Sequence, residues 1–265
     1  MLKEIMNELP ALEKGKNVCI ALSGGLDSTT LVYALVEKYG ADRVKAIAFD
    51  FGQRHLIELD KAGETAGNLG IEFNVIRLDY LKDIARSVSA LIDGSDLKPK
   101  TAEENAGDPQ VNTYVPFRNL QFAAITAAYA EAKECQYIMQ GLNQVDVYGY
   151  WDTSTEFRDA VNAVLALNRQ HQIQFVTPFV ELYKEEELII AKELSDWFGY
   201  DILENTWSCY NGYSEEYNFK ECGHCNTCEE KLNGYIRADY APEAILKKFN
   251  VTPEELDKKI KLIKE

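Results

Sequence analysis

The chain has 265 residues, with 28 Lys and Arg against 43 Asp and Glu, a formal net charge of −15. So acidic a surface repels nucleic acid and no basic run compensates, so a small-molecule substrate is expected in place of RNA or DNA. No apolar run approaches transmembrane length and the N-terminus lacks a signal peptide's apolar core, so a cytoplasmic protein without membrane contact is expected, long enough to bury a core without disulfides.

Residues 1–14 read as a surface helix leading into an apolar strand, Val18-Cys19-Ile20-Ala21-Leu22. The strand runs into Ser23-Gly24-Gly25-Leu26-Asp27-Ser28, and an amphipathic run over 29–39 follows, which predicts strand, glycine turn, helix. Two glycines let the backbone adopt positive φ and approach a ligand closely. The first helical N–H groups then point at that ligand, with the positive end of the helix dipole behind them. Ser23, Ser28 and Thr29 add hydroxyl donors, and Asp27 can orient a metal ion. The turn is a place to hold phosphate. It is not a Walker A loop, because no Lys follows the glycines, and it lacks the three-glycine dinucleotide pattern.

A second strand over 43–50 runs straight into Phe51-Gly52-Gln53-Arg54-His55. A helix over 56–70 and a third strand over 71–78 complete a βαβαβ rhythm, which implies a doubly wound parallel sheet with ligands beyond the carboxyl ends of its strands. There adenine can use backbone groups of the second strand, at Phe49, while Gln53, Arg54 and His55 face substrate or phosphates. Residues 93–113 are polar and rich in Gly and Pro, and read equally as a mobile lid or a disordered insertion. An Ala-rich helix spans 120–133, with Arg118 at its entrance placed to meet an anion. A fourth strand over 136–141 ends in a polar and aromatic run, 142–152, suited to a planar heterocycle: aromatic faces stack while Asn, Gln and Asp read edges. A helix over 153–167, a last strand over 173–178 and a helix over 185–198 follow, with Lys184 at the start of the last helix either solvated or facing phosphate.

Of six cysteines, Cys19 and Cys135 read as buried apolar residues. Cys209 with Cys222-Gly223-His224-Cys225-Asn226-Thr227-Cys228 is different. Two overlapping Cys-x-x-Cys steps put three thiolates on one knuckle, and Cys209 can return as the fourth. Four thiolates match structural, tetrahedral zinc; an iron–sulfur cluster takes the same set, while disulfides do not suit a cytoplasmic protein. The metal would pin residues 206–265 onto a nucleotide-binding domain over 1–205.

Taken together these motifs resemble the 7-cyano-7-deazaguanine synthase family of ATP pyrophosphatases, over about Val18 to Arg237. The resemblance rests on Ser23–Thr30, Phe51–His55, Val115-Pro116-Phe117-Arg118-Asn119, Gly-x-Asn-x-x-Asp at Gly141–Asp146, and Gly149-Tyr150. It continues through Thr177-Pro178 with Lys184, Ser208-Cys209-Tyr210-Asn211-Gly212 and the cysteine knuckle. It implies an α/β fold of the pyrophosphate-loop type with a four-cysteine zinc segment, and a homodimer. The implied reaction adenylates 7-carboxy-7-deazaguanine with ATP and Mg²⁺ and converts it with ammonia through the amide to the nitrile. AMP and pyrophosphate are released. The implied ATP side comprises Leu22, Ser23, Gly24, Gly25, Asp27, Ser28, Phe49, Arg118, Gly141 and Lys184, with Asp27, Arg118 and Lys184 as catalytic groups. Gln53, His55, Asn143, Asp146, Tyr150 and Asp152 would line the deazapurine side, and Cys209, Cys222, Cys225 and Cys228 would hold zinc.

The chain departs from the family's pattern in three places. Leu26 stands where the family usually has Gln, and Phe117 where it has Gly. Trp151-Asp152-Thr153-Ser154 stands where it reads Pro-Asp-Cys-Arg, so a guanidinium able to clamp a carboxylate is missing. Two other expectations therefore stand beside the nitrile synthase: an enzyme that transfers the same acyl group to another amine, such as a protein terminus, and a non-catalytic nucleotide sensor.

Overall fold

A computed structural model describes residues 1–101, 103–105, 107, 108, 110–143 and 150–264. Five parallel strands form one sheet: β1 (Asn17–Ala21), β2 (Val44–Asp50), β3 (Glu72–Arg77), β4 (Cys135–Met139) and β5 (Gln174–Val176). Their order is β3-β2-β1-β4-β5. The chain therefore winds outward from β1 in one direction, then crosses to β4 and winds the other way. That makes the gap between β1 and β4 the switch point, where ligands of doubly wound sheets bind.

The strands alternate as a sheet covered on both faces requires. Val18, Ile20, Val44, Ala46 and Ala48 join the core under α1 (Leu2–Glu8), α2 (Leu26–Tyr39), α3 (Ile57–Leu69) and α7 (Lys184–Phe198). Cys19, Ile47, Phe49 and Ile138 join the opposite core under α4 (Asp79–Ala85), α5 (Arg118–Ala132) and α6 (Thr155–Leu165). Cys19 and Cys135 are buried among these apolar side chains, as the sequence indicates.

Several bounds differ from expectation, each for a local reason. The first helix ends at Glu8, and Pro10 follows within two residues. Helix α2 begins three residues early, because Gly25 serves as its N-cap. Helix α6 begins late: Trp151–Thr153 is a 3-10 turn, and the Ser154 hydroxyl caps α6 by accepting from Phe157 N at 3.1 Å. Helix α4 has no counterpart among the expected elements. The described part of 93–113 is no loose insertion. Ala90 N donates to Asn112 O at 2.8 Å, Asn112 Nδ2 to Lys98 O at 2.8 Å, and Thr101 bridges to Cys225.

A third core forms where α8 (Asn226–Arg237), α9 (Pro242–Lys248) and α10 (Pro253–Lys264) fold back on the sheet's flank. It takes in Leu26 of α2 and Leu188 and Ala191 of α7 together with Trp207, all four clustered cysteines and Phe249. The C-terminal segment thus shares its core with the helices that carry the glycine turn and Lys184.

Candidate active site

The carboxyl ends of β1 and β4 open into a cavity of about 230 Å³. Its floor is the turn between β1 and α2. Gly24 has φ +85°, and a Cβ there would lie 2.1 Å from the Glu58 carbonyl oxygen, so α3 packs directly on the turn. Gly141, just past β4, approaches from the other strand: a Cβ would come within 2.7 Å of the Asp27 carbonyl carbon. Only glycine permits both approaches. Ser28 Oγ accepts from Ser23 N at 3.0 Å and lies 2.9 Å from Ser23 Oγ, which tightens the turn around the first N–H groups of α2.

Lys184, at the first position of α7, is buried and points into this floor. Its Nζ donates to Asp27 Oδ1 at 2.7 Å and to Glu187 Oε2 at 3.3 Å, and Glu230 Oε1 lies 3.9 Å away. Burial and the adjacent Asp27 charge push Glu187 well above the usual carboxylate range, so it is held protonated. Burial also works to raise Asp27, yet the Lys184 ammonium and a hydrogen bond from Glu187 keep it below that range. The result is one carboxylate and one ammonium beside the N-terminus of α2, steadied by a neutral acid.

Arg118 opens α5 on the opposite wall, its guanidinium 5.6 Å from the Phe51 ring centroid and 5.9 Å from that of Phe122. Phe122 stacks on Phe49 at 4.1 Å. These faces give the cavity an aromatic side next to a cation, while the Phe49 carbonyl is already taken by Gln53 Nε2 at 3.1 Å. Gln53, His55 and Tyr150 line the cavity; the Tyr150 hydroxyl lies 2.6 Å from Thr113 Oγ1 and 3.5 Å from the Tyr210 hydroxyl.

Other expected residues stand elsewhere. Arg54 turns away and donates to the carbonyls of Ile92, Ser95 and Leu97, fastening the segment after α4. Asn143 is fully buried behind the floor, donating to Glu187 Oε1 at 3.1 Å. Asp152 is buried at the start of α5, where its Oδ2 accepts from Asn119 N at 3.3 Å; burial raises its carboxyl, against the pull of Arg118. Asp146 lies outside the described residues. Glu58, Glu230 and Lys231 line the cavity unforeseen. The signals were faint: Glu58 follows His55, and Lys231 follows Cys228, each by one helical turn.

Below the cavity Cys209, Cys222, Cys225 and Cys228 are buried with their Sγ atoms all within 4.8 Å of one another. Backbone N–H groups of His224 and Cys225 and the Asn211 amide point at Cys222 Sγ, at 3.4, 3.3 and 3.3 Å. Cys222 N points at Cys209 Sγ at 3.4 Å. Donors aimed at sulfur suit thiolates bound to a cation. His224 is exposed and stands outside this set.

A glycine turn at the switch point of a doubly wound sheet, opposed across one cavity by an Arg and a buried Lys, defines an α/β protein with its candidate site at the carboxyl ends of the central strands. A family model described as queuosine biosynthesis protein QueC matches residues 17–239. A 7-cyano-7-deazaguanine synthase of Chromobacterium violaceum is 33% identical over 219 residues, 83% of this chain and 88% of that one. The chain belongs to the QueC family. Two solved structures are similar at low identity. An NMN synthetase from Francisella tularensis shares 17% identity over 98% of this chain and 91% of that one, with a TM-score of 0.48. A U34-tRNA thiolase from Methanococcus maripaludis shares 16% over 99% and 76%, with a TM-score of 0.47.

Proposed function

We propose that the protein is an ATP-dependent ligase that adenylates 7-carboxy-7-deazaguanine and converts it with ammonia, through the amide, to the nitrile. The observation that carries this reading is the pair of the buried Lys184 with the half-buried Asp27 at the N-terminus of α2, across one cavity from Arg118, in a chain of the QueC family. The substrate carboxylate attacks the α-phosphorus of ATP, the bond to the β-phosphate breaks, and pyrophosphate forms over the turn of Leu22, Ser23, Gly24, Gly25 and Ser28. Lys184 and Arg118 oppose the charge that develops, which needs positioning and electrostatics more than a protein nucleophile. Mg²⁺ enters with ATP, and Asp27 offers the single carboxylate with which such sites complete its coordination. Ammonia then displaces AMP to give the amide. A second ATP adenylates the amide oxygen, and loss of AMP and of both N–H protons leaves the nitrile. Phe49, Phe122 and Gly141 suit the adenosine end, Gln53, His55 and Tyr150 the deazapurine end.

The four thiolates suit one structural zinc ion: tetrahedral Zn–S bonds put sulfurs about 3.8 Å apart, which fits the observed cluster better than a wider iron–sulfur cube. Residues 206–265 then form a zinc-held segment on a nucleotide-binding body over 1–205, and the enzyme works as a cytoplasmic homodimer.

One observation favours a second reading, transfer of the acyl group to another amine such as a protein terminus. Two of the chain's departures from the family pattern touch: the exposed Phe117 and Trp151 rings meet edge to face at 5.5 Å, each next in the chain to a cavity-lining residue, Arg118 and Tyr150. Phe117 holds φ +53°, a conformation that favours glycine. Where a family guanidinium would stand, Thr153 and Ser154 are spent on the Tyr150 and Trp151 carbonyls. Mass spectrometry of the protein with ATP, Mg²⁺, 7-carboxy-7-deazaguanine and ammonium separates the readings. Nitrile with AMP and pyrophosphate supports the first, arrest at adenylate or amide supports the second, and absence of AMP overturns both.

A further inference from the structure

Between the glycine turn and the deazapurine end of the cavity stands a carboxylate that the reaction above leaves unused. Glu58 lies in the first turn of α3, lines the cavity, and has a side chain only 17% exposed. Its backbone is fixed from below, because its carbonyl packs on Gly24 of the turn. Its carboxylate faces the other way, with Oε1 3.5 Å from His55 Nε2, and the buried Nδ1 of that ring has no hydrogen-bond partner among the described residues. Glu58 therefore spans the phosphate end and the end lined by Gln53, His55 and Tyr150. The acyl–phosphate bond of an adenylate must lie at that junction.

We propose that Glu58 accepts the proton from the nitrogen that attacks the acyl adenylate, with His55 as its positioning residue. The proposal rests on the adenylation reading and deepens it. The nitrogen lone pair forms the C–N bond, the C–O bond to AMP breaks with its electrons leaving on AMP, and one N–H proton passes to the Glu58 carboxylate. After the amide oxygen is adenylated in turn and one of the two N–H protons has passed to solvent, the same carboxylate takes the second, whose loss closes the C≡N bond as AMP departs. Between steps the proton returns to solvent.

The electrostatics suit that task. Burial pushes Glu58 up to about 8, against the pull of Arg118 from α5 and Lys231 from α8 and with a further push from Glu221. Burial, Arg118 and Arg54 lower His55 to about 4, so the ring is neutral and can orient the carboxyl without competing for its proton. A base that ionises near the working pH transfers protons most effectively.

The test uses hydroxylamine as the amine, because it is uncharged between about pH 6.5 and 9 and leaves the enzyme's titration as the one reported. Hydroxamate and pyrophosphate are measured in single turnovers with ATP, Mg²⁺ and 7-carboxy-7-deazaguanine, for the wild type, Glu58→Gln and Glu58→Asp. The wild-type acyl-transfer rate is expected to rise as the pH climbs through about 8, where the carboxylate forms, and then to level. Glu58→Gln is expected to lower hydroxamate formation about 100-fold and to abolish the rise, while Glu58→Asp keeps part of both. Pyrophosphate release with a flat wild-type profile, or with Glu58→Gln matching the wild type, overturns the proposal and spares the adenylation reading. No pyrophosphate from the wild type overturns both. Should Glu58→Gln fail to fold, the wild-type profile and Glu58→Asp decide.

Discussion

Lys184 illustrates how much one side chain can hold in place. It sits among Asp27, Glu187 and Glu230, and its removal would leave the half-buried Asp27 carboxylate with no cation in hydrogen-bond reach among the described residues. Breaking a buried pair from one side destabilises by about 3 kcal/mol, far more than an exposed pair contributes. Lys184→Met is therefore expected to lower the unfolding free energy measured in urea by that amount and to abolish pyrophosphate release. Glu187→Gln is expected to do neither, because Glu187 is held protonated and glutamine reproduces a neutral group of the same shape. A large loss of stability in Glu187→Gln would show that Glu187 is ionised. Neither Glu187 nor Glu58 was legible as a site residue, since an acid on a helix reads by default as a solvated one. Glu58 is drawn to the cavity because Gly24 lets α3 pack on the turn, and Glu187 is buried beside Lys184 on α7.

At the scale of elements, the strands and the switch point were the legible part. Val18–Leu22 and 43–50 are apolar runs of strand length, and a βαβαβ order leaves little freedom in how parallel strands can be wound. The glycine turn followed from the same context, and its packing explains why it needs glycine. A methyl group at Gly24 would meet the Glu58 carbonyl at 2.1 Å while the backbone holds φ +85°. Gly24→Ala is expected to force α3 off the turn. It should lower stability by about 2 kcal/mol and reduce nucleotide-dependent thermal stabilisation to background, read by melting with and without Mg²⁺-ATP. Alanine at Gly67, an exposed position of α3 where nothing lies within 4 Å of the added Cβ, is the control and should not lower stability and should leave the response to ATP intact. Less legible was the run at 142–152. Its polar residues suggested contacts with a heterocycle, yet Asn143 and Asp152 turn inward to support Glu187 and the start of α5. The same residue types serve both purposes, and only the path of the chain separates them.

Across the whole molecule, the cysteine cluster and the cavity are parts of one structure. Trp207 N donates to the Gly24 carbonyl at 3.0 Å, while the Trp207 indole N–H donates to the Cys209 carbonyl at 3.1 Å, so two bonds lead from the glycine turn to the first thiolate. On the other side of the cluster Cys225 caps α8, and that helix delivers Thr227, Glu230 and Lys231 to the cavity wall. Lys231 is itself buried, donating to Glu221 at 3.0 Å and Thr206 at 3.1 Å, a pair that can be tolerated only where the packing is fixed. The sequence announced the four thiolates through their spacing. It could not announce that their core includes Leu26 and Leu188, because those contacts join residues far apart along the chain, and spacing speaks only for neighbours. If the metal holds this arrangement, its removal should act at a distance. A strong chelator, or Cys228→Ser, is expected to lower the melting temperature and to raise hydrogen exchange in α8 and in the first turn of α2 together, since thiolates left without a cation repel one another. Mg²⁺-ATP should then no longer protect the turn. Exchange that rises in α8 while α2 keeps its protection and its response to ATP would show that the segment is an appendage, and that the cavity stands without it.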